Sequence, residues 1–228
     1  MTPPEPLHFL ITAGPTREPI DPVRFISNRS SGKMGYAIAE AAARAGHTVD
    51  LVSGPVTIAA PSQPGIRLVA VESTRQMYEA VAERLGAADV AIMAAAVADY
   101  RPVSVSPQKI KKSKQQDWVL HLEKTEDILG SAREPLGFGG LLVGFAAETE
   151  NVEAHARDKL VRKRCDVIVA NDVSQPGIGF DSDTNEICLY HADGSAEALP
   201  RGAKSALARD LVRIIEGLAR DRMRVPAS

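Results

Sequence analysis

The sequence predicts an α/β fold: an open, mainly parallel sheet with helices on both faces and an antiparallel extension at one edge. Three observations carry that prediction. Short, continuous runs of apolar residues recur along the chain, as expected of parallel strands buried on both faces. Alanine-rich or amphipathic stretches alternate with them, the β-α-β order that builds a parallel sheet. Toward the C-terminus the order changes to strand, Asp193-Gly194 turn and strand, the mark of a hairpin.

Residues 7–13 form the first apolar run, ending at Gly14-Pro15. A loop with prolines at 15, 19 and 22 leads to Ser30. The first helix is expected over residues 32–45, with Ser30 or Ser31 as cap and Gly46 as stop. Strands follow at 48–53 and 66–71, then a helix over 74–85 that Ser73 can cap and whose Met77, Val81 and Leu85 share a face. A fourth strand spans 90–95. Residues 101–116 carry Arg101, Lys109, Lys111, Lys112 and Lys114 without apolar periodicity and read as a loop. Alternation then predicts a strand over 118–122, a short helix over 126–133, a buried strand over 141–146, an amphipathic helix over 152–163 and a strand over 166–170. The hairpin occupies 186–191 and 196–199, and a last helix 204–222. One domain is the economical reading, with a core over 7–184 and an extension over 185–224.

The 228 residues are 44% hydrophobic, enough for a real core, and the net charge of −2 gives no global attraction to nucleic acid or anionic membrane. Cys165 and Cys188 form no C-x-x-C pair, and five scattered histidines show no metal-ligand spacing. The first residues lack a signal-type pattern and no run is long enough to span a bilayer, so the expectation is a soluble, cytoplasmic protein.

The chemistry concentrates at Arg24–Gly35, Arg-Phe-Ile-Ser-Asn-Arg-Ser-Ser-Gly-Lys-Met-Gly, between the first strand and the first helix. Serines and glycines at a helix N-terminus can turn backbone N–H groups toward an anion, and Arg24, Arg29 and Lys33 frame Asn28 there. The usual templates fail. A P-loop would need other residues where Ser27 and Met34 stand. The dinucleotide fingerprint lacks a glycine at Ser30, its loop of about 16 residues is too long, and no acid closes the second strand at Val52-Ser53-Gly54. An oxidoreductase is therefore disfavoured, while a non-catalytic nucleotide-binding module stays open beside an enzyme.

Residues 11–35, Ile-Thr-Ala-Gly-Pro-Thr-Arg-Glu-Pro-Ile-Asp-Pro-Val-Arg-Phe-Ile-Ser-Asn-Arg-Ser-Ser-Gly-Lys-Met-Gly, resemble the signature of bacterial phosphopantothenate–cysteine ligase, the synthetase half of the bifunctional coenzyme A biosynthesis flavoprotein. Four further blocks follow in order: Ala-Ala-Ala-Val-Ala-Asp-Tyr-Arg (94–101), Lys-Ile-Lys-Lys (109–112), Val-Gly-Phe-Ala-Ala-Glu-Thr (143–149) and Ala-Asn-Asp-Val-Ser (170–174). The resemblance implies a Rossmann-like fold and a two-step reaction. The carboxylate of 4'-phosphopantothenate attacks CTP, giving an acyl-cytidylate and pyrophosphate; the amine of L-cysteine then displaces CMP. Magnesium would bridge the triphosphate.

The resemblance also implies roles. Asn28 would hold the acyl-cytidylate, and Lys109, with Lys111 and Lys112 in the same flap, would close over the site. Arg24, Ser30, Ser31 and Gly32 would bind the phosphorylated acid. Met93, Ala94, Ala95 and Asp99 would meet the base or ribose, Phe145 would lie beside the base, and Lys159 and Lys163, four residues apart on one helix face, would meet the triphosphate. Glu126, Asp127, Ile128 and Leu129 complete the nucleotide site, although Lys124-Thr125-Glu126-Asp127-Ile128 departs from the frequent Lys-Asn-Pro-Asp-Ile and adds a negative charge beside a polyphosphate. The metal ligands stay unassigned. A homodimer is implied, with flap or edge strands contributing across the interface. A flavin decarboxylase half is missing from the sequence, which leaves a stand-alone ligase, associating with a separate decarboxylase, or an excised C-terminal domain.

Overall fold

The computed structural model describes residues 5–111, 117–174, 179 and 182–224. Lys112 and Lys114 of the predicted flap lie outside the described residues. In chain order the elements are β1 (His8–Ala13), β2 (Arg17–Pro19), β3 (Phe25–Ser27), α1 (Lys33–Arg44), β4 (Thr48–Ser53), β5 (Ile66–Ala70), α2 (Thr74–Leu85), β6 (Val90–Met93), β7 (Tyr100–Pro102), β8 (Leu122–Lys124), α3 (Ile128–Ser131), β9 (Leu141–Glu148), α4 (Val152–Arg162), β10 (Val167–Asp172), β11 (Thr184–His191), β12 (Ala196–Ala203) and α5 (Lys204–Arg224).

The main sheet runs β12-β11-β10-β9-β6-β1-β4-β5, parallel from β5 to β10 and antiparallel across β10–β11–β12. After β1 the chain builds outward through β4 and β5, then returns to β6 and builds the other way. The strand order therefore reverses between β1 and β6, and their carboxyl ends open a crevice where ligands bind in such sheets.

Successive β1 side chains point to opposite faces, and both faces are buried. Phe9 and Ile11 pack with Ile38 of α1 and Leu211 and Ile215 of α5; Leu10 packs with Met77, Val81 and Leu85 of α2 and with Leu160 of α4. Each such side chain contributes about 1.5–3 kcal/mol by burial.

Five local expectations need correction. Residues 101–116 are not wholly loop, since Arg101 and Pro102 belong to β7, whose register is set by its partner β8 and not by any apolar periodicity of its own. Neither Ser30 nor Ser31 caps α1. Gly32 does so in the left-handed region, φ 75°, with no side-chain hydrogen bond, and both serines face the crevice instead. Residues 15–30 are not wholly loop, since β2 and β3 pair there; strands of three residues containing Pro19 carry no alternation to read. The strand expected at 118–122 lies at Leu122–Lys124. All three of its residues are exposed, so pairing with β7, and not burial, sets its position. The helix expected over 126–133 shrinks to Ile128–Ser131, with Asp127 accepting from Gly130 N at 2.9 Å as its cap. By contrast, Ser73 caps α2 in a reciprocal box with Gln76.

Candidate functional site

The crevice is a cleft of about 660 Å³. Its floor is the segment following β6. Met93, Ala94 and Ala95 expose small side chains or backbone there, and Asp99 stands at the rim. Hydroxyls fix this segment: Ala95 N donates to Thr12 Oγ1 at 3.1 Å, Ala98 N to Thr16 Oγ1 at 2.9 Å, and Thr125 Oγ1 to Ala98 O at 2.6 Å. Behind it, Thr74 N and Oγ1 donate to Glu18 at 2.8 and 2.7 Å. With its own proton directed to Glu18, Thr74 must accept from Thr16 across 3.0 Å. A directed chain therefore runs from Ala98 N–H through two threonines to a carboxylate that is 2% exposed. Satisfied buried networks of this kind hold one geometry.

The wall opposite is the entry to α1. A Cβ on Gly35 would sit 2.6 Å from that of Ala13, so only glycine lets the helix approach the end of β1 this closely. Gly32 opens α1 in the left-handed region, and Ser30, Ser31 and Gly32 line the cleft there.

Cations converge from several elements. On α4, Lys159 Nζ donates to Phe145 O at 2.7 Å; burial lowers its pKa, Glu148 opposes that, and Lys163 adds to it. Lys163 pairs with Asp127. Burial would raise the Asp127 carboxyl, but the Lys163 ammonium and the Gly130 amide hold it below its ordinary value. Lys33 meets Asp183 at 2.6 Å, and Lys204, 6% exposed, donates to Gly179 O at 2.9 Å. Both line the cleft. Lys204 was not anticipated from the sequence. Its signal is a lysine on the first residue of a helix, where the dipole disfavours a cation.

Glu126 and the neighbouring Ile128 and Leu129 also line the cleft. The added negative charge is answered locally. Arg101 donates from Nη1 to both Glu126 oxygens at 2.9 Å, and Arg75 lies 3.5 Å away. Burial pushes the Glu126 pKa up, yet these arginines keep it lowered.

Three predicted residues stand outside the cleft lining. Asn28 is exposed, and its Nδ2 donates to Ala96 O at 3.1 Å and Val97 O at 2.9 Å, beneath the floor segment. Arg24 is held by Asp21 and lies over the Trp118 ring at 4.7 Å. Lys109 is exposed on the loop beside them. These residues belong to an arm formed by the β2–β3 and β7–β8 ribbons and the residues around 110, carrying exposed Val23, Phe25, Trp118 and Leu122; Tyr100 of β7, also exposed, lines the cleft.

Comparison with known proteins gives a consistent result. A family model described as the DNA/pantothenate metabolism flavoprotein C-terminal domain matches residues 5–218. The coenzyme A biosynthesis bifunctional protein CoaBC of Vibrio vulnificus is 46% identical over 219 residues, covering 94% of this chain and 54% of that one. Its Escherichia coli counterpart is 48% identical over 208 residues, covering 90% and 50%. The chain thus spans about half the length of these relatives. The crystal structure of the C-terminal domain of a CoaBC protein superposes with a TM-score of 0.79 at 45% identity, covering 94% of this chain and 96% of that one.

Proposed function

The chain belongs to the DNA/pantothenate metabolism flavoprotein C-terminal domain family, and from that premise we propose that it joins 4'-phosphopantothenate and L-cysteine through an acyl-cytidylate, in coenzyme A biosynthesis. The observation that carries this reading is the cleft itself: a floor of small residues at the strand-order reversal, faced by Lys33, Lys159, Lys163 and Lys204. A carboxylate becomes a usable electrophile only when its oxygen is made a good leaving group. Its attack on the α-phosphorus of CTP forms the acyl–phosphate bond and expels pyrophosphate. The cysteine amine then attacks the acyl carbon, loses a proton and expels CMP. Both steps develop negative charge on phosphate oxygens, and pre-placed cations and N–H groups lower that cost most.

In this reading Lys159 and Lys163 meet the triphosphate, Phe145 and the backbone of Met93, Ala94 and Ala95 meet the base and ribose, and Asp99 accepts from the nucleotide. Ser30, Ser31 and Gly32 bind the phosphorylated acid. Among the described residues no group of three acidic, histidine or cysteine side chains could hold a metal. That fits magnesium held mainly by nucleotide phosphates and water, and the ion would supply charge neutralisation. CTP and not ATP as the nucleotide rests on the resemblance.

Arg24, Asn28 and Lys109 act from the arm. Its exposed apolar residues support a homodimer in which the arm packs against a second copy, and the bifunctional relatives support association with a flavin decarboxylase. The reading places the protein in the cytoplasm; no helix among the described residues is long and apolar enough to cross a membrane.

The test is pyrophosphate release from CTP and phosphopantothenate. One equivalent per enzyme without cysteine, and turnover with it, are expected; no release in any combination overturns the ligase and favours a binding module. Phe25→Asp should shift the sedimentation profile toward monomer.

A further inference from the structure

Asp21 lies in a connecting turn, yet its side chain is fully buried. Its Oδ1 accepts from Val23 N and Arg24 N, each at 2.9 Å; its Oδ2 accepts from Arg24 Nε at 3.0 Å, Arg24 Nη2 at 2.5 Å and Ile110 N at 3.1 Å. The same Nη2 donates to Ile110 O at 2.9 Å. Carboxylate and guanidinium therefore grip both polar groups of one residue, and that residue follows Lys109. A further backbone bond, Ser106 N to Ile20 O at 3.0 Å, ties the two segments together.

Neither Asp21 nor Ile110 belongs to a packed apolar cluster. The grip joins segments 89 residues apart without adding to the core. What it fixes is the position of Arg24 relative to the peptide beside Lys109.

We propose that Asp21 is a positioning residue for the ligase reaction, a clamp that makes the Arg24 arm and the Lys109 segment one body and delivers two cations to the reacting phosphates together. The proposal deepens the proposed function and rests on it. The Arg24 guanidinium holds the Asp21 carboxyl well below the usual carboxylate range, so the clamp stays charged at any working pH.

Asp21→Asn removes the charge and turns an NH2 group toward other donors. Ile110→Pro removes the gripped N–H and leaves every charge in place. Both variants should lose about 30-fold or more in kcat/KM for phosphopantothenate, and combining Asp21→Asn with Lys109→Met should cost little beyond the larger single loss, since residues acting as one unit are not additive. Trp118, the one tryptophan of the sequence, reports the same junction by fluorescence, because Arg24 lies over its ring. Its emission should shift in both variants while the far-ultraviolet spectrum does not.

Wild-type turnover is measured first: if it is absent the ligase reading falls, and the Trp118 shift still decides whether Asp21 holds Arg24. Wild-type kcat/KM in Ile110→Pro, or fully multiplicative losses in the double variant, overturns the clamp. If Asp21→Asn fails to fold, Ile110→Pro and its own double with Lys109→Met give the same decision.

Discussion

The floor of the cleft and the arm beside it solve the same problem, holding polar groups in place, by different means. The floor segment is anchored from the interior by Thr12, Thr16 and Thr125, backed by Glu18, with the sheet beneath it. The arm consists of two-stranded ribbons with Phe25 and Trp118 about half exposed, and charged contacts tie it together: Arg101 with Glu123 across β7–β8, and Asp21 with Arg24 and the Ile110 amide. Two-stranded ribbons are marginal alone. The lesson is that the floor of the cleft is fixed by the interior of the fold, whereas the arm's placement depends on a few polar contacts and on what covers its apolar side.

The sharpest way to break that contrast is at Asn28, where arm and floor meet. Asn28→Asp turns a carboxylate toward the Ala96 and Val97 carbonyls that Nδ2 now bonds, so turnover should fall about 10³-fold and the thermal midpoint should drop by about 2–4 °C. Unchanged pyrophosphate release would remove Asn28 from the mechanism. Next, Lys163→Met should raise the KM for CTP about 10- to 30-fold, the effect of about 1.4–2 kcal/mol, and should let the Asp127 pKa rise, readable by carboxyl chemical shifts.

A stability effect follows for the floor. Thr16→Val leaves Ala98 N–H buried without its acceptor and should cost about 1–3 kcal/mol, seen as a lower urea midpoint; the same loss with no change in nucleotide KM would mean that the network does not shape the site. The smallest effect concerns Lys159. Its folded-state pKa is lowered, mainly by burial. Keeping it charged therefore costs stability below that pKa, a cost that fades as pH rises toward its ordinary value of 10.5. A bound triphosphate favours the charged form, so CTP affinity should weaken, by less than about tenfold, as pH climbs through the lowered pKa. In Lys159→Met, calorimetric titration should find that slope gone.

Much of the cleft was legible because its parts are continuous in sequence and its strands are buried on both faces. Val90–Met93 and Leu141–Glu148 are apolar runs that only a covered sheet accommodates, and the residues after them inherit the crevice. The ribbons were not legible: three-residue strands such as Leu122–Lys124 bury nothing and take their register from a partner far along the chain. Glu126 looked like an intrusion beside phosphate because Arg101 and Arg75 approach it only in three dimensions.

By itself the sequence determined the parallel sheet and its antiparallel edge, since local periodicity survives without knowledge of distant contacts, while the roles expected of Asn28, Asp99, Lys159 and Lys163 came from the family resemblance of contiguous blocks. Only the tertiary structure decided that Lys204 joins the cleft, that Glu18 anchors its floor through two threonines, and that Asp21 grips Ile110. Each of those depends on groups dozens of residues apart meeting in a buried place, where an unpaired donor or charge would be too costly to leave.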